Sequence, residues 1–140
     1  DRAAKAKAAI QSAKTAREEA EVQRLKSEDW AKERAAKHAA KIRDVGMPTL
    51  REMEAILAES GVTGKIASSD QNPMSVSLQW PSVFNPEVTC LLKLTTEGGM
   101  RVDSEFGPRT SSKANASDKS DADISKMLWD RFQELLERKR

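Results

Sequence analysis

The sequence predicts an α+β protein: a long N-terminal helix of coiled-coil character, followed by a small domain of one helix, a three-stranded antiparallel sheet and a closing helix. Three observations predict it. Residues 2 to about 44 hold neither Gly nor Pro and are dominated by Ala, Lys, Glu, Arg and Gln, all good helix formers. From Val88 to Phe106, Val88, Cys90, Leu92 and Leu94 fall on one face, and Met100, Val102 and Phe106 continue that face beyond a Glu97-Gly98-Gly99 turn. Near the end, Ile124, Met127, Leu128, Phe132, Leu135 and Leu136 step at i, i+3, i+4 with charges opposite, the stripe of a helix lying on a sheet.

The chain of 140 residues is long enough for one domain and an extension, and we place the division at 1–45 for a charged, Ala-rich helical rod and 46–140 for the interaction domain. Because the sequence begins at Asp1 inside what reads as helix, it is expected to be a piece of something longer. In the rod, Lys14 with Glu18, Arg24 with Glu28, Glu28 with Lys32 and Glu33 with Lys37 supply i,i+4 support. Ala6, Ala9, Ala13, Ala16 and Ala20 step by three and four as a seam would. Val22 and Leu25 follow, and Trp30, Ala35, Ala39 and Ile42 resume out of register. Such a rod is either a solvated spacer or one member of a helical pair. Trp30 argues for the pair, since a large indole on a helix of alanine and charge has nothing obvious of its own to bury against. Val22, Leu25, Trp30 and Ile42 are therefore the expected partner contacts, in a homo- or hetero-oligomer.

Gly46-Met47-Pro48 is expected to break the rod, and Thr49 with Glu52 to restart it through a capping box. Leu50, Met53, Ile56 and Leu57 give the short helix its apolar face, and Gly61 stands where a C-terminal glycine belongs. Ser68 to Pro73 reads as loop. Met74, Val76, Leu78 and Trp80 alternate with Ser75, Ser77 and Gln79 as a half-buried strand that Pro81 stops. A link through Val83, Phe84, Asn85 and Pro86 leads into the hairpin, whose Thr89, Lys93, Thr95, Arg101, Asp103 and Glu105 are expected to be wet. The polar run from Arg109 to Asp123 is expected to be a mobile loop, with Asp121 or Asp123 capping the last helix. Leu91, apolar on an otherwise polar face, Arg101 after the turn and Trp129 beside the buried stripe are further candidate partner contacts.

Composition narrows function mostly by exclusion. A net charge of +2 announces neither a nucleic-acid nor a membrane protein, and no apolar run reaches the roughly 20 residues of a membrane span. Cys90 is the single cysteine, so no internal disulfide forms and a reducing, intracellular compartment is preferred. His38 is the only histidine, which removes the usual general base and any His-rich metal site. Asp118, Asp121 and Asp123 lack the glycine and distal glutamate of a calcium loop, and Gly98-Gly99 leads into a strand and not a helix, so it is no phosphate cradle. We expect no catalytic residues, no metal and no cofactor, and read the chain as a protein-binding module and not an enzyme.

Pro86-Glu87 ahead of the strand Val88–Leu94, Gly99-Met100-Arg101-Val102, Pro108, and a terminal helix with Trp129 and Phe132 form a pattern that resembles the RWD-type globular ends of coiled-coil kinetochore subunits over residues 48 to 138. That resemblance implies a nuclear, chromosome-segregation setting, dimerisation through the rod, and docking of a peptide or neighbouring subunit by the globular end. Two alternatives come from other classes. The order helix, three strands, helix is also that of double-stranded RNA binding domains, although Ser120-Asp121-Ala122-Asp123 puts acid where those carry lysine, leaving Arg138, Lys139 and Arg140 for nonspecific backbone contact. An Ala/Lys/Glu-rich rod ahead of a small domain is also similar to the periplasmic energy-coupling protein TolA, whose domain typically carries a disulfide that a lone Cys90 cannot make.

Overall fold

The computed structural model describes residues 1–139. Helical backbone runs unbroken from Arg2 to Glu59, 58 residues: α1 is Arg2–Lys41, a π-helical turn covers Ile42–Gly46, and α2 is Met47–Glu59. The strands are β1 Lys65–Ser69, β2 Ser75–Pro81, β3 Thr89–Thr95, β4 Arg101–Phe106 and β5 Ser111–Asn115, and α3 is Asp121–Glu137. The class is α+β, with one antiparallel sheet and a C-terminal helix.

The chain divides into two compact units, residues 1–36 and residues 37 onward. In the first, every residue is exposed except half-buried Arg34. Its ion pairs centre on Arg24, 2.9 Å from Glu21 and 3.7 Å from Glu28, while the expected Lys14–Glu18, Glu28–Lys32 and Glu33–Lys37 pairs do not close. The expected boundary at residue 45 falls too late. His38, Ile42, Val45 and Gly46 are all buried in the second unit, because the last turn of α1 already lies on its core.

The rod is also not broken where Gly46-Met47-Pro48 suggested. The Met47 N–H donates to the Ile42 carbonyl, the wider i to i+5 bond of a π turn, and Pro48 follows within the first turn of α2, where a missing N–H is tolerated. No side chain caps α2, so the expected box of Thr49 and Glu52 is not used. A Cβ at Gly46 would stand 2.9 Å from both Leu94 Cδ2 and Val76 Cγ1, which shows how closely the helix backbone approaches the sheet there.

At the other end of α2, Gly61 adopts φ +80° and the Val62 N–H reaches back to the Leu57 carbonyl at 2.8 Å, the expected glycine stop. The hairpin also folds as read: Gly98 and Gly99 have φ +67° and +120°, and Cys90 pairs with Phe106, Leu92 with Ser104, and Leu94 with Val102.

Five strands form, in the order β1-β2-β3-β4-β5, where three were expected. The two additions are the edges, Lys65–Ser69 on β2 and Ser111–Asn115 on β4. Each carries a single inward apolar side chain of note, Ile66 or Ala114, so ladder bonds and not apolar alternation define it. The Arg109–Asp123 run is thus a strand and a turn and not a loop. Ala116 is fully buried with its N–H on the Met100 carbonyl at 2.8 Å, and Ser117 Oγ accepts from the Met100 N–H at 3.0 Å.

One face of the sheet is covered in two halves, α2 over β1 and β2 and α3 over β3 and β4. Leu50, Met53, Val76, Leu78, Leu92 and Leu94 lie between them with Val102, Ile124, Leu128 and Phe132. Phe132 meets the edge of Trp80 at 5.3 Å between ring centres. The N-cap of α3 is Ser120, whose Oγ accepts from the Asp123 N–H at 3.2 Å; Asp121 and Asp123 stand one and three residues inside it instead of capping. Asp121 accepts from Lys41 Nζ at 3.0 Å, fastening the end of α1 to the start of α3.

A candidate docking groove on the globular unit

The groove is built from three chain ends that local geometry brings to one place. On α2, Leu57 enters the core at 2 % exposure, and Ile56, one helical step of rotation away, is left 39 % exposed at the rim. Past the Gly61 stop, Val62 adds a half-buried side chain. The β2–β3 connection is closed on itself, with the Ser82 N–H on the Val88 carbonyl at 2.8 Å and the Val88 N–H on the Asn85 carbonyl at 2.9 Å. That closure holds Val83 and Phe84 outward, each 55 % exposed. The last turn of α3 supplies Leu136 and Glu137, and Lys139 lies just beyond.

Together with Leu57 and Ser60 these residues line a mostly apolar groove of about 550 Å³. Glu137 and Lys139 are the charged residues of its lining. Lys139 Nζ stands 5.4 Å from the Phe84 ring centre, and Arg138 Cζ 5.4 Å from that of Phe106. Glu137 accepts from Gln133 Nε2 at 2.8 Å within its own helix. Lys139 also borders a second hollow of about 310 Å³ floored by Val88 and Phe106. Large apolar side chains seldom stand exposed together around a concavity unless something covers them.

The residues expected to bind partners lie elsewhere, and none lines this groove. Val22, Leu25 and Trp30 are exposed on the rod at 49, 48 and 61 %, with Arg34 Cζ 5.1 Å over the Trp30 ring. Ile42 is withdrawn: at 3 % exposure it belongs to the core of the globular unit, because the π turn carries it onto the sheet. Leu91 is half-buried on the open sheet face between Gln79 and Glu105, so cross-strand neighbours cover much of it. Arg101 is engaged by Asp103, with Nε 2.6 Å from Oδ1 and Nη2 2.9 Å from Oδ2, and by Glu97 at 3.3 Å. The hydrogen bond to Asp103 raises its pKa; burial acts against that, and the charges of Asp103 and Glu97 add to the rise. Trp129 rests half-buried against the edge of Phe132 at 5.8 Å.

The open face is drier than expected. Asp103 is 9 % exposed and Thr95 fully buried, its hydroxyl accepting from the Glu97 N–H at 3.1 Å. Burial pushes the Cys90 thiol up to about 11, offset in part by a hydrogen bond with Ser82, so the sulfur stays protonated and poorly nucleophilic. Among the described residues no three His, Cys, Asp or Glu side chains gather as metal ligands would, and no helix is long and apolar enough to cross a membrane.

Sequence reading passed over the groove because its parts lie at residues 56–62, 83–84 and 136–139, and only folding joins them. One local signal was present. Val83-Phe84 is an apolar pair in a seven-residue connection that otherwise reads as turn, where neither side chain is needed to make a strand. Compared with known proteins, the chain matches no family model, no curated sequence and no solved structure.

Proposed function

We propose that this chain is a non-enzymatic protein-interaction module, in which the globular unit seats an apolar segment of a partner protein and the rod associates with another helix. The observation that carries the reading is the groove, with Phe84, Val83 and Ile56 exposed around a largely apolar concavity. Apolar side chains of the partner would displace water from Ile56, Val62 and Leu136. The setting we assign is the one implied by the RWD-type resemblance, an assembly of coiled-coil subunits in chromosome segregation. Its support is the order of elements, a long helix, a short helix, an antiparallel sheet and a closing helix.

Titration of the full chain with synthetic helical peptides, read by fluorescence anisotropy, tests the groove. A peptide with leucines spaced by three and four should bind, and the same peptide with those leucines replaced by serines should bind at least about tenfold more weakly, roughly 1.4 kcal/mol. Phe84→Asp should abolish binding with an unchanged circular dichroism spectrum. Equal affinity for the two peptides, or full binding by Phe84→Asp, rejects the reading.

A further inference from the structure

One stripe of the rod is complementary to its own reverse. Lys7, Ile10, Lys14 and Arg17 are followed by Glu18, Glu21, Leu25 and Glu28, with steps of three, four, three, one, three, four and three, so all of them share a face of α1. The spacing is the same read from either end, while the charge is opposite: Ile10 stands among cations and Leu25 among acids. All of these residues are exposed, Ile10 at 58 % and Leu25 at 48 %. Laid antiparallel on a second copy with Arg17 level with Glu18, the stripe brings Ile10 against Leu25, Lys7 against Glu28 and Lys14 against Glu21.

The flanking charges do not oppose this register. Arg24, Asp29 and Lys32 come level with Gln11, Ala6 and Ala3 of the other copy, and Lys26 with Ala9. Farther out Arg2 meets Glu33, so over residues 2–33 no like charges fall level. Sliding the pair by two residues sets Lys7 against Lys26 in one direction and Lys5 against Lys32 in the other. A parallel pair in register would set every charge of the stripe against itself. Arg24 already lies 2.9 Å from Glu21 and 3.7 Å from Glu28, but these side chains are all more than half exposed, and such solvated pairs leave the acids open to a second cation. Trp30 lies on another face, where Arg34 covers its ring.

We propose that residues 1–36 form an antiparallel pair with the same residues of a second copy of this chain, centred between Arg17 and Glu18. The inference rests on the reading that the rod associates with another helix, and it names that helix and its direction. The contact is isologous, so each ion pair and each Ile10 to Leu25 contact occurs twice, and it uses the first unit alone. Ile10 and Leu25 supply the area removed from water. The ion pairs, exposed and individually weak, set direction and register.

Disulfide cross-linking of full chains reads the direction. Ile10→Cys mixed with Leu25→Cys should give a mixed disulfide on mild oxidation, whereas neither variant alone should link to itself, because like positions then lie roughly 22 Å apart along the axis. Cys90, buried and protonated, stays out of the reaction. Sedimentation equilibrium reads the charges, with circular dichroism confirming that each variant is folded. Wild type should be dimeric. Glu21→Lys with Glu28→Lys should be monomeric, as should Lys7→Glu with Lys14→Glu, and all four changes in one chain should restore the dimer. A dimer indifferent to both charge reversals overturns the register, and self-linking of Ile10→Cys overturns the direction while association of the rod stands. A monomeric wild type overturns the inference outright. In every case the peptide titration decides separately whether the groove seats a partner segment.

Discussion

Residues 1–36 and the unit that begins at Lys37 share the helix α1, yet they are held by different forces. In the first, nothing is buried and the backbone is stabilised by helix propensity and a few exposed charge pairs. Most helical stability in proteins comes from tertiary packing, and this stretch has none to draw on. In the second, fully buried Leu50, Met53, Leu78, Leu92, Leu94 and Leu128 make one continuous core. The change occurs within a few residues, between exposed Lys37 and buried His38 and Ile42. A helix is therefore not one energetic object. The globular unit should survive loss of the rod's side chains, whereas the rod's order depends on what it meets.

That contrast can be broken most directly at the core. Phe132→Ala should destabilise the full chain by about 3–5 kcal/mol in denaturant unfolding, because the ring is 2 % exposed and touches both Trp80 and Trp129. A loss below about 1 kcal/mol would mean that α3 does not close the sheet. Gly46→Ala comes next, at roughly 1–3 kcal/mol, as a methyl forced to within 2.9 Å of Val76 and Leu94 makes the π turn move off the sheet. An unchanged midpoint would place the helix farther away than described. Lys93→Ala should cost about 0.2–1 kcal/mol, the worth of one cross-strand pair with Asp103. If it costs as much as Phe132→Ala, the two faces of the sheet are exchanged. Smallest of all, Trp30→Ala should shift the unfolding midpoint of the globular unit by less than about 0.5 kcal/mol, since the indole is 61 % exposed on the other unit. A larger shift would show the two units to be energetically coupled.

Where one face of an element is apolar and the other polar, the sequence could be read. Val76, Leu78 and Trp80 are buried as their alternation requires, as are Cys90, Leu92 and Leu94, and Gly98 and Gly99 make the turn. The edge strands were illegible because Lys-Ile-Ala-Ser-Ser and Ser-Ser-Lys-Ala-Asn have one apolar residue of any size between them, and their register comes from neighbours and not from themselves. The π turn was hidden for a related reason. Gly46 and Pro48 break most helices, and only the sheet beneath shows why a glycine is required there and a proline is harmless. Of the candidate contacts, Val22, Leu25 and Trp30 were legible as exposed apolar residues on a charged helix. Ile42 looked the same, and tertiary packing alone separates it from them.

The strictly sequential order of the sheet bears on how the protein is made. Each strand pairs with the one synthesised just before it, so the sheet assembles by short-range closures that cost little chain entropy. Its two halves do not fare equally during synthesis. The half formed by β1 and β2 emerges with α2 already available to cover it, whereas the half formed by β3 and β4 must wait for α3. Between the emergence of Phe106 and that of Phe132, a nascent chain carries Leu92, Val102 and Phe106 on an uncovered apolar face beside a freshly made strand edge. In that interval the protein is most open to chaperones, and a ribosome stalled near Ser120 would release a species inclined to associate through its sheet.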